Sequence, residues 1–201
     1  MPLVSIDGQP LELDDIVAWA DAGDIDALCF LGDIYTSGQY GIAAEPAKGW
    51  NYYKLAVKAG SAAATYKLGR GYVDGQAGLP LDDQVGSRLI EQAADAGDGD
   101  AQYWLGLRYA AAGQPARAAD YFDLAARDGH TKAQYQLGQY WFFTGKNIDN
   151  AIYWLCLSYH NGDSDAWDAL NAMITQGNVP RAYERIQSTL AQIQGIGQAG
   201  P

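Results

Sequence analysis

The 201-residue sequence predicts an all-α fold, a solenoid of antiparallel helix pairs. Three observations predict it. First, an Ala is followed four and five residues later by Leu-Gly, at Ala27/Leu31-Gly32, Ala64/Leu68-Gly69, Ala101/Leu105-Gly106 and Ala133/Leu137-Gly138. Ala166/Leu170-Asn171 is a decayed fifth copy. Second, an aromatic lies three residues past each Gly (Tyr35, Tyr72, Tyr109, Trp141), and another Gly closes each unit (Gly60, Gly97, Gly129, Gly162). Third, the copies start 37, 37, 32 and 33 residues apart, the period of stacked helix-pair arrays.

The elements follow in chain order. Leu3 to Gly8 carries a hairpin turn signal, which Pro10 weakens. Leu13 to Gly23 reads as a lone second helix with Ile16, Trp19 and Ala20 inward, shielding the first face of the stack. Ala27, Leu31 and Tyr35 are spaced i, i+4, i+8, one face of a first helix. Gly32 lies beside that face. A Gly inside a helix costs about 1 kcal/mol relative to Ala, so its recurrence points to a packing need, the close approach of a neighbouring helix. After the turn Gly38-Gln39-Tyr40-Gly41, Pro46 suits the first turn of a second helix, with Trp50, Tyr53, Ala56 and Val57 leading to a stop at Gly60. Later second helices carry Leu89-Ile90 with Ala93-Ala94, Tyr121-Phe122 with Ala125-Ala126, and Trp154-Leu155 with Ser158-Tyr159. Asp24, Ser61, Asp98, Thr131 and Asp163 stand before the first helices and read as N-caps. Pro180 opens a last helix with Tyr183, Ile186, Leu190 and Ile193 on one face, a C-terminal cap of the kind such arrays need. The organisation is one repeat domain: an N-terminal segment and capping helix over 1–23, repeats over 24–60, 61–97, 98–129 and 130–162, a partial repeat over 163–177, a capping helix over 180–194 and a tail over 195–201.

Composition narrows the functional classes. Thirteen basic residues face 24 acidic ones, a net charge of −11, which excludes a nucleic-acid backbone binder and disfavours an anionic membrane surface. Such a surface steers basic proteins instead. No apolar run is long enough to span a membrane, and the N-terminus lacks the pattern of a secretory signal. The expected location is cytoplasmic, or periplasmic if a signal has been removed. Cys29 and Cys156 fit neither a disulfide framework nor a zinc spacing and read as small buried hydrophobes. The Asp-x-Asp pairs at 24/26, 98/100 and 163/165 lack the Gly and Glu of a calcium loop and read as caps. His130 and His160 adjoin inter-unit turns near helix C-termini, a favourable place for the ring in the helix dipole. No HExxH, Walker A or G-x-S-x-G pattern occurs. The string Gly195-Ile-Gly197-Gln-Ala-Gly200 follows a helix and opens no βαβ unit. No catalytic, metal or cofactor site is expected, and the protein reads as no enzyme.

The motif A-x-Y-x-L-G, an aromatic three on, an aromatic pair before Ala-Ala and a closing Gly resembles the Sel-one-like repeat of the tetratricopeptide superfamily. The match is close at Ala64-Thr-Tyr66-Lys-Leu68-Gly69, Ala101-Gln-Tyr103-Trp-Leu105-Gly106 and Ala133-Gln-Tyr135-Gln-Leu137-Gly138. The first unit departs with Cys29 at the Tyr position, the third and fourth units are shorter in the turn, and the fifth lacks the Gly. The resemblance covers about residues 13–170. It implies a right-handed superhelix with a concave face that binds proteins or peptides. It also implies an adaptor or an immunity protein that neutralises a secreted toxin, without choosing between them.

The first helix of each pair is expected to line the inner surface. Positions one, four and five past the Gly then face the partner: Asp33, Thr36 and Ser37; Arg70, Val73 and Asp74; Leu107, Ala110 and Ala111; Gln139, Phe142 and Phe143. They grade from polar to aromatic along the chain. Tyr66, Tyr103 and Tyr135 either edge this groove or pack between units. One helix face cannot bury Trp141, Phe142 and Phe143 together, so one of the Phe pair is expected to be an exposed interface anchor. The expected function is non-catalytic binding of another protein, foremost a basic toxin or effector held by an immunity protein, with an adaptor as the alternative.

Overall fold

The computed structural model describes residues 4–6, 9–177 and 179–198. The chain divides into two compact units, Met1–Ala101 and Gln102–Pro201. The first holds a two-stranded antiparallel hairpin, β1 (Val4–Ile6) and β2 (Gln9–Leu11), then α1 (Leu13–Asp21), α2 (Ile25–Ser37), α3 (Pro46–Lys58), α4 (Ala62–Asp74) and α5 (Asp83–Asp95). Helix α6 (Gly99–Ala111) starts at the end of this unit and continues in the next. The second unit adds α7 (Pro115–Arg127), α8 (Thr131–Thr144), α9 (Ile148–His160), α10 (Ser164–Thr175) and α11 (Ala182–Gln198). The hairpin forms although Pro10 lies in it, paired with Ser5; both strands are edges, where Pro is tolerated. Everything else regular is helical, an all-α repeat solenoid.

The repeated residues hold the pairs together. Ala27, Ala64, Ala101, Ala133 and Ala166 are all buried, as are Leu31, Leu68, Leu105, Leu137 and Leu170. The repeated Gly sits where the second helix of the pair crosses the first. A Cβ on Gly32 would stand 2.8 Å from the Tyr53 ring, one on Gly69 2.9 Å from the Gly86 carbonyl, and one on Gly138 2.7 Å from Leu155 Cγ. A Cβ on Gly106 would run into Phe122. In the first unit the crossing is matched from the other side, because Gly49 and Gly86 in the second helices also leave no room for a Cβ. In the second unit Ala118 and Ala151 hold the corresponding places, both buried.

Consecutive pairs are joined by a two-residue device. Gly60 N–H donates to Val57 O and Ser61 N–H to Ala56 O, both at 3.0 Å, the crossed bonds that end a helix at a left-handed residue. Gly60 has φ +94°, which a residue with a Cβ rarely adopts. Ser61 then caps α4, its Oγ accepting from Ala64 N–H at 3.1 Å. The same bonds recur at Gly23-Asp24, Gly97-Asp98, Gly129-His130 and Gly162-Asp163. This register corrects the expectation for α8. Its cap is His130, whose Nδ1 accepts from Ala133 N–H at 3.1 Å, and Thr131 is the first helical residue. His130 therefore lies at the end of α7, as expected, and its side chain also caps the N-terminus of α8 through an acceptor Nδ1, stacked 4.7 Å from Tyr103. His160 does lie in the last turn of α9.

Two helices, α1 and α11, depart from the expected burial. Ile16 and Ala20 of α1 are buried where it packs against α2, but Trp19 is 45% exposed. In α11, Ile186 and Ile193 are buried and Leu190 half-buried, while Tyr183 is 60% exposed. Pro180 does not open that helix; Arg181 has φ +54° and the helix starts at Ala182. It continues to Gln198, past Gly195, and residues 199–201 lie outside the described ones. It packs chiefly on α9, with Arg185 paired to Asp149, which leaves Asn171 of α10 exposed where the other copies carry the crossing Gly.

Cys156 is fully buried in the second unit, and burial pushes its thiol up to about 12 from the usual 9.0. Cys29 is half-buried, its Sγ 3.6 Å from Ser61 Oγ.

Three outcomes follow from this packing. Gly69→Ala destabilises by roughly 1–3 kcal/mol through overpacking against the Gly86 backbone, whereas Gly195→Ala, with open space around it, stabilises by up to about 1 kcal/mol. Urea unfolding of both variants checks the opposite signs. His130→Ala loses about 1 kcal/mol and His130→Asp recovers most of it, read by the same measurement. The raised Cys156 thiol contributes stability that is whole below pH 9 and falls as pH climbs towards 12, so wild type loses more stability over that range than Cys156→Ala; an equal loss contradicts this.

Candidate functional site

The expected site residues fall into two chemically different sets. In the first unit, α2 and α4 bring Asp33, Tyr66, Arg70 and Asp74 around an open hollow of about 350 Å³ that Thr36, Trp50 and Tyr53 also line. Asp33 is its hub. Both Asp33 oxygens accept from Lys67 Nζ at 2.7 Å, and the Tyr53 hydroxyl donates to Asp33. Burial pushes the Tyr53 phenol far above its ordinary range, and the bond to Asp33 adds to it. A second chain of bonds lies beside the first. Arg70 Nη2 donates to Asp74 Oδ2 at 2.9 Å, and Arg70 Nη1 to the Tyr66 hydroxyl at 3.2 Å. Burial raises the Tyr66 phenol and the Arg70 bond opposes it. Trp50 is held in the wall by its Nε1 donating to Ala77 O at 2.9 Å.

In the second unit the hollows line the side of α8. One, of about 590 Å³, is bounded by Ala110, Pro115, Phe122, Tyr135, Gln139 and Phe143, with Tyr140 beside them, and no charged residue lines it. Gln139 Nε2 donates to the Tyr135 hydroxyl at 2.6 Å. The other, of about 390 Å³, is bounded by Tyr103, Lys132, Tyr135, Gln136 and the start of α10 at Asp163 and Asp165. Burial raises the Tyr103 phenol, a side-chain hydrogen bond with Gln136 opposes it, and the Asp163 charge adds to it.

The consecutive phenylalanines separate as expected. Phe143 is 78% exposed, while Phe142 is half-buried and packs into the core formed with α9 and α11. Phe142 therefore belongs to the packing, not to the hollow. Leu107 is 39% exposed on α6 and lies outside these hollows. Tyr103 and Tyr135 do both things open to them, while Tyr66 lines the hollow of the first unit. Tyr103 packs on Phe122 and Tyr135 on the α9 core, and each still lines a hollow.

Among the lining positions that escaped the sequence reading, Lys67 and Gln136 share one place in the repeat. Both occupy the place two residues before the repeated Gly, which reads Phe30, Lys67, Trp104 and Gln136 across the copies. That place changes from copy to copy while its neighbours stay constant, and this contrast was the available signal. Among the described residues no group of three or more His, Cys, Asp or Glu is placed to hold a metal ion, and no helix is long and apolar enough to cross a membrane.

The Sel1 repeat model matches residues 25–61, 62–98, 99–130 and 131–163, each copy starting one residue after an N-cap. The fold is similar to that of a Sel1 repeat protein from Oxalobacter formigenes, at TM-score 0.73 and 24% identity over 94% of this chain and 82% of that one. It is similar to c5321, a protective antigen of uropathogenic Escherichia coli strains displaying an SLR fold, at TM-score 0.67 and 22% identity over 92% of this chain and 41% of that one. It is also similar to the immunity protein Pa5087 from Pseudomonas aeruginosa, at TM-score 0.61 and 19% identity over 90% of this chain and 73% of that one. No curated protein matches the sequence. With four matched copies spanning more than half of its length, the chain belongs to the Sel1 repeat family, whose helix-pair fold serves as a protein-interaction module.

Proposed function

We propose that this protein is an immunity protein, which binds and neutralises a basic toxin or effector and catalyses no reaction. The observation that carries the reading is Phe143, four-fifths exposed at the edge of an uncharged hollow. A large aromatic held out in water by a well-packed helix is a usual interface anchor. The net charge of −11 supports a basic partner, drawn in by long-range attraction. The fold likeness to the immunity proteins Pa5087 and PA5088 is consistent with the reading. The second reading, an adaptor, is favoured by a different observation: the hollow around Asp33 is polar and charged while that around Phe143 is apolar, which suits two unlike partners.

The reading is tested by co-expressing the chain with a toxin encoded beside it. Immunity requires a 1:1 complex and loss of toxicity; several weak partners and no protection establish the adaptor instead. Within that complex, Phe143→Ala weakens binding by about 2 kcal/mol or more while leaving unfolding within about 0.5 kcal/mol of wild type. The association rate falls steeply as salt shortens the screening length below about 10 Å; a rate indifferent to salt removes the role given to the acidic surface.

A further inference from the structure

The two hollows of the second unit share Tyr135 and Gln136. Lys132, Gln136, Gln139 and Phe143 follow one another along α8 at steps of four, three and four residues, one stripe of a helix. The hollows are thus the two ends of one trough along α8. At 1.5 Å per residue, Lys132 to Phe143 spans about 16 Å, the length of roughly five residues of extended chain.

The two ends differ in chemistry. At the Phe143 end the walls are Ala110, Pro115, Phe122 and Tyr140, with no charged group. At the other end stand Asp163 and Asp165 against the single cation Lys132. The Asp163 carboxylate is engaged, accepting from Ser158 Oγ at 3.1 Å and from Asp165 N–H at 3.0 Å. Asp165 is exposed and makes no ion pair among the described residues, so its carboxylate is open to a cation from outside. Tyr103 and Tyr135 line the same hollow beside Asp165. Between the ends lie Gln136 and Gln139, each already bonded to a tyrosine of the wall; Gln139 gives its Nε2 to Tyr135, and its amide oxygen is the group left to accept from a main-chain N–H.

We propose that the trough along α8 binds an extended stretch of about five residues of the partner, with an apolar side chain seated at Phe143 and a Lys or Arg at Asp165. This rests on the reading of the chain as a protein binder and names the chemistry of what is bound. The hollow of the first unit does not compete for such a cation, because Lys67 already occupies Asp33 and Arg70 already occupies Asp74.

The test uses the full chain and blocked five-residue peptides carrying Leu at one end, Arg at the other and Gly-Ser between, in both orders, titrated to millimolar concentration by calorimetry. Control peptides carry Glu for Arg or Ser for Leu. One order binds about tenfold or more tighter than both controls. Phe143→Ala removes the advantage of Leu over Ser and keeps that of Arg over Glu. Asp165→Lys reverses the preference between Arg and Glu. Phe143 is exposed, so thermal unfolding of Phe143→Ala stays at the wild-type value; Asp165→Lys puts a cation in the first turn of α10 and lowers stability by about 1 kcal/mol or less, leaving the chain folded. Equal binding of Arg and Glu peptides, no binding of either, or no reversal in Asp165→Lys overturns the proposal. A chain that captures its toxin but ignores the peptides sinks the trough alone. A chain that takes the peptides but captures no toxin sinks the immunity reading alone.

Discussion

The structure depends on a missing side chain. In four of its helix pairs the first helix carries a Gly where the second helix crosses, and the partner fills the notch with Tyr53, Ile90, Phe122 or Leu155. Interhelical distance is set by the side chains at the contact. A Cβ at the notch would stand under 3 Å from its neighbour, so the helices would have to separate along their length. Helix propensity is given up at this position to bring two helix backbones close, and the buried Ala and Leu of each copy then find partners at the right depth.

The close crossing fixes which way each first helix faces. The Gly–cap junctions fix where along the chain it starts. Because the same two bonds end one helix and the next residue starts another, no slack is left between pairs. A residue counted from the junction therefore lands at the same place in each copy. That is why positions before and after the repeated Gly line hollows in both units, although their side chains range from Asp33 to Phe143. A rigid frame with freely varied lining residues is a physical basis for recognition by a repeat fold. Here the lining is charged and internally bonded in the first unit, while in the second one hollow is uncharged and the other carries Lys132, Asp163 and Asp165.

Much of this was legible in the chain. Periodicity and turn residues located the helices, because backbone hydrogen bonding and capping are local and act within a few residues. Other features were not. Whether Phe142 or Phe143 turns outward depends on how the core of α9, α10 and α11 meets α8, which no spacing along one helix reports. Trp19 and Tyr183 sit on the expected faces by arithmetic, yet are exposed, because burial depends on which other helices reach that part of the face. Lys67 meets Asp33 across 34 residues, and only the stacking of α4 on the first pair brings the two charges together.

The sequence by itself determined the repeat, the helical class, the crossing glycines, the junctions and the acidic character, all properties of composition or short-range pattern. The tertiary structure decided which polar residues satisfy one another, that His130 rather than Thr131 caps α8, and that the second unit keeps an uncharged hollow with Phe143 exposed at its edge. The division has a physical reason. Helix formation is governed by neighbours a turn away, whereas exposure and pairing are governed by which distant surface arrives to cover a side chain.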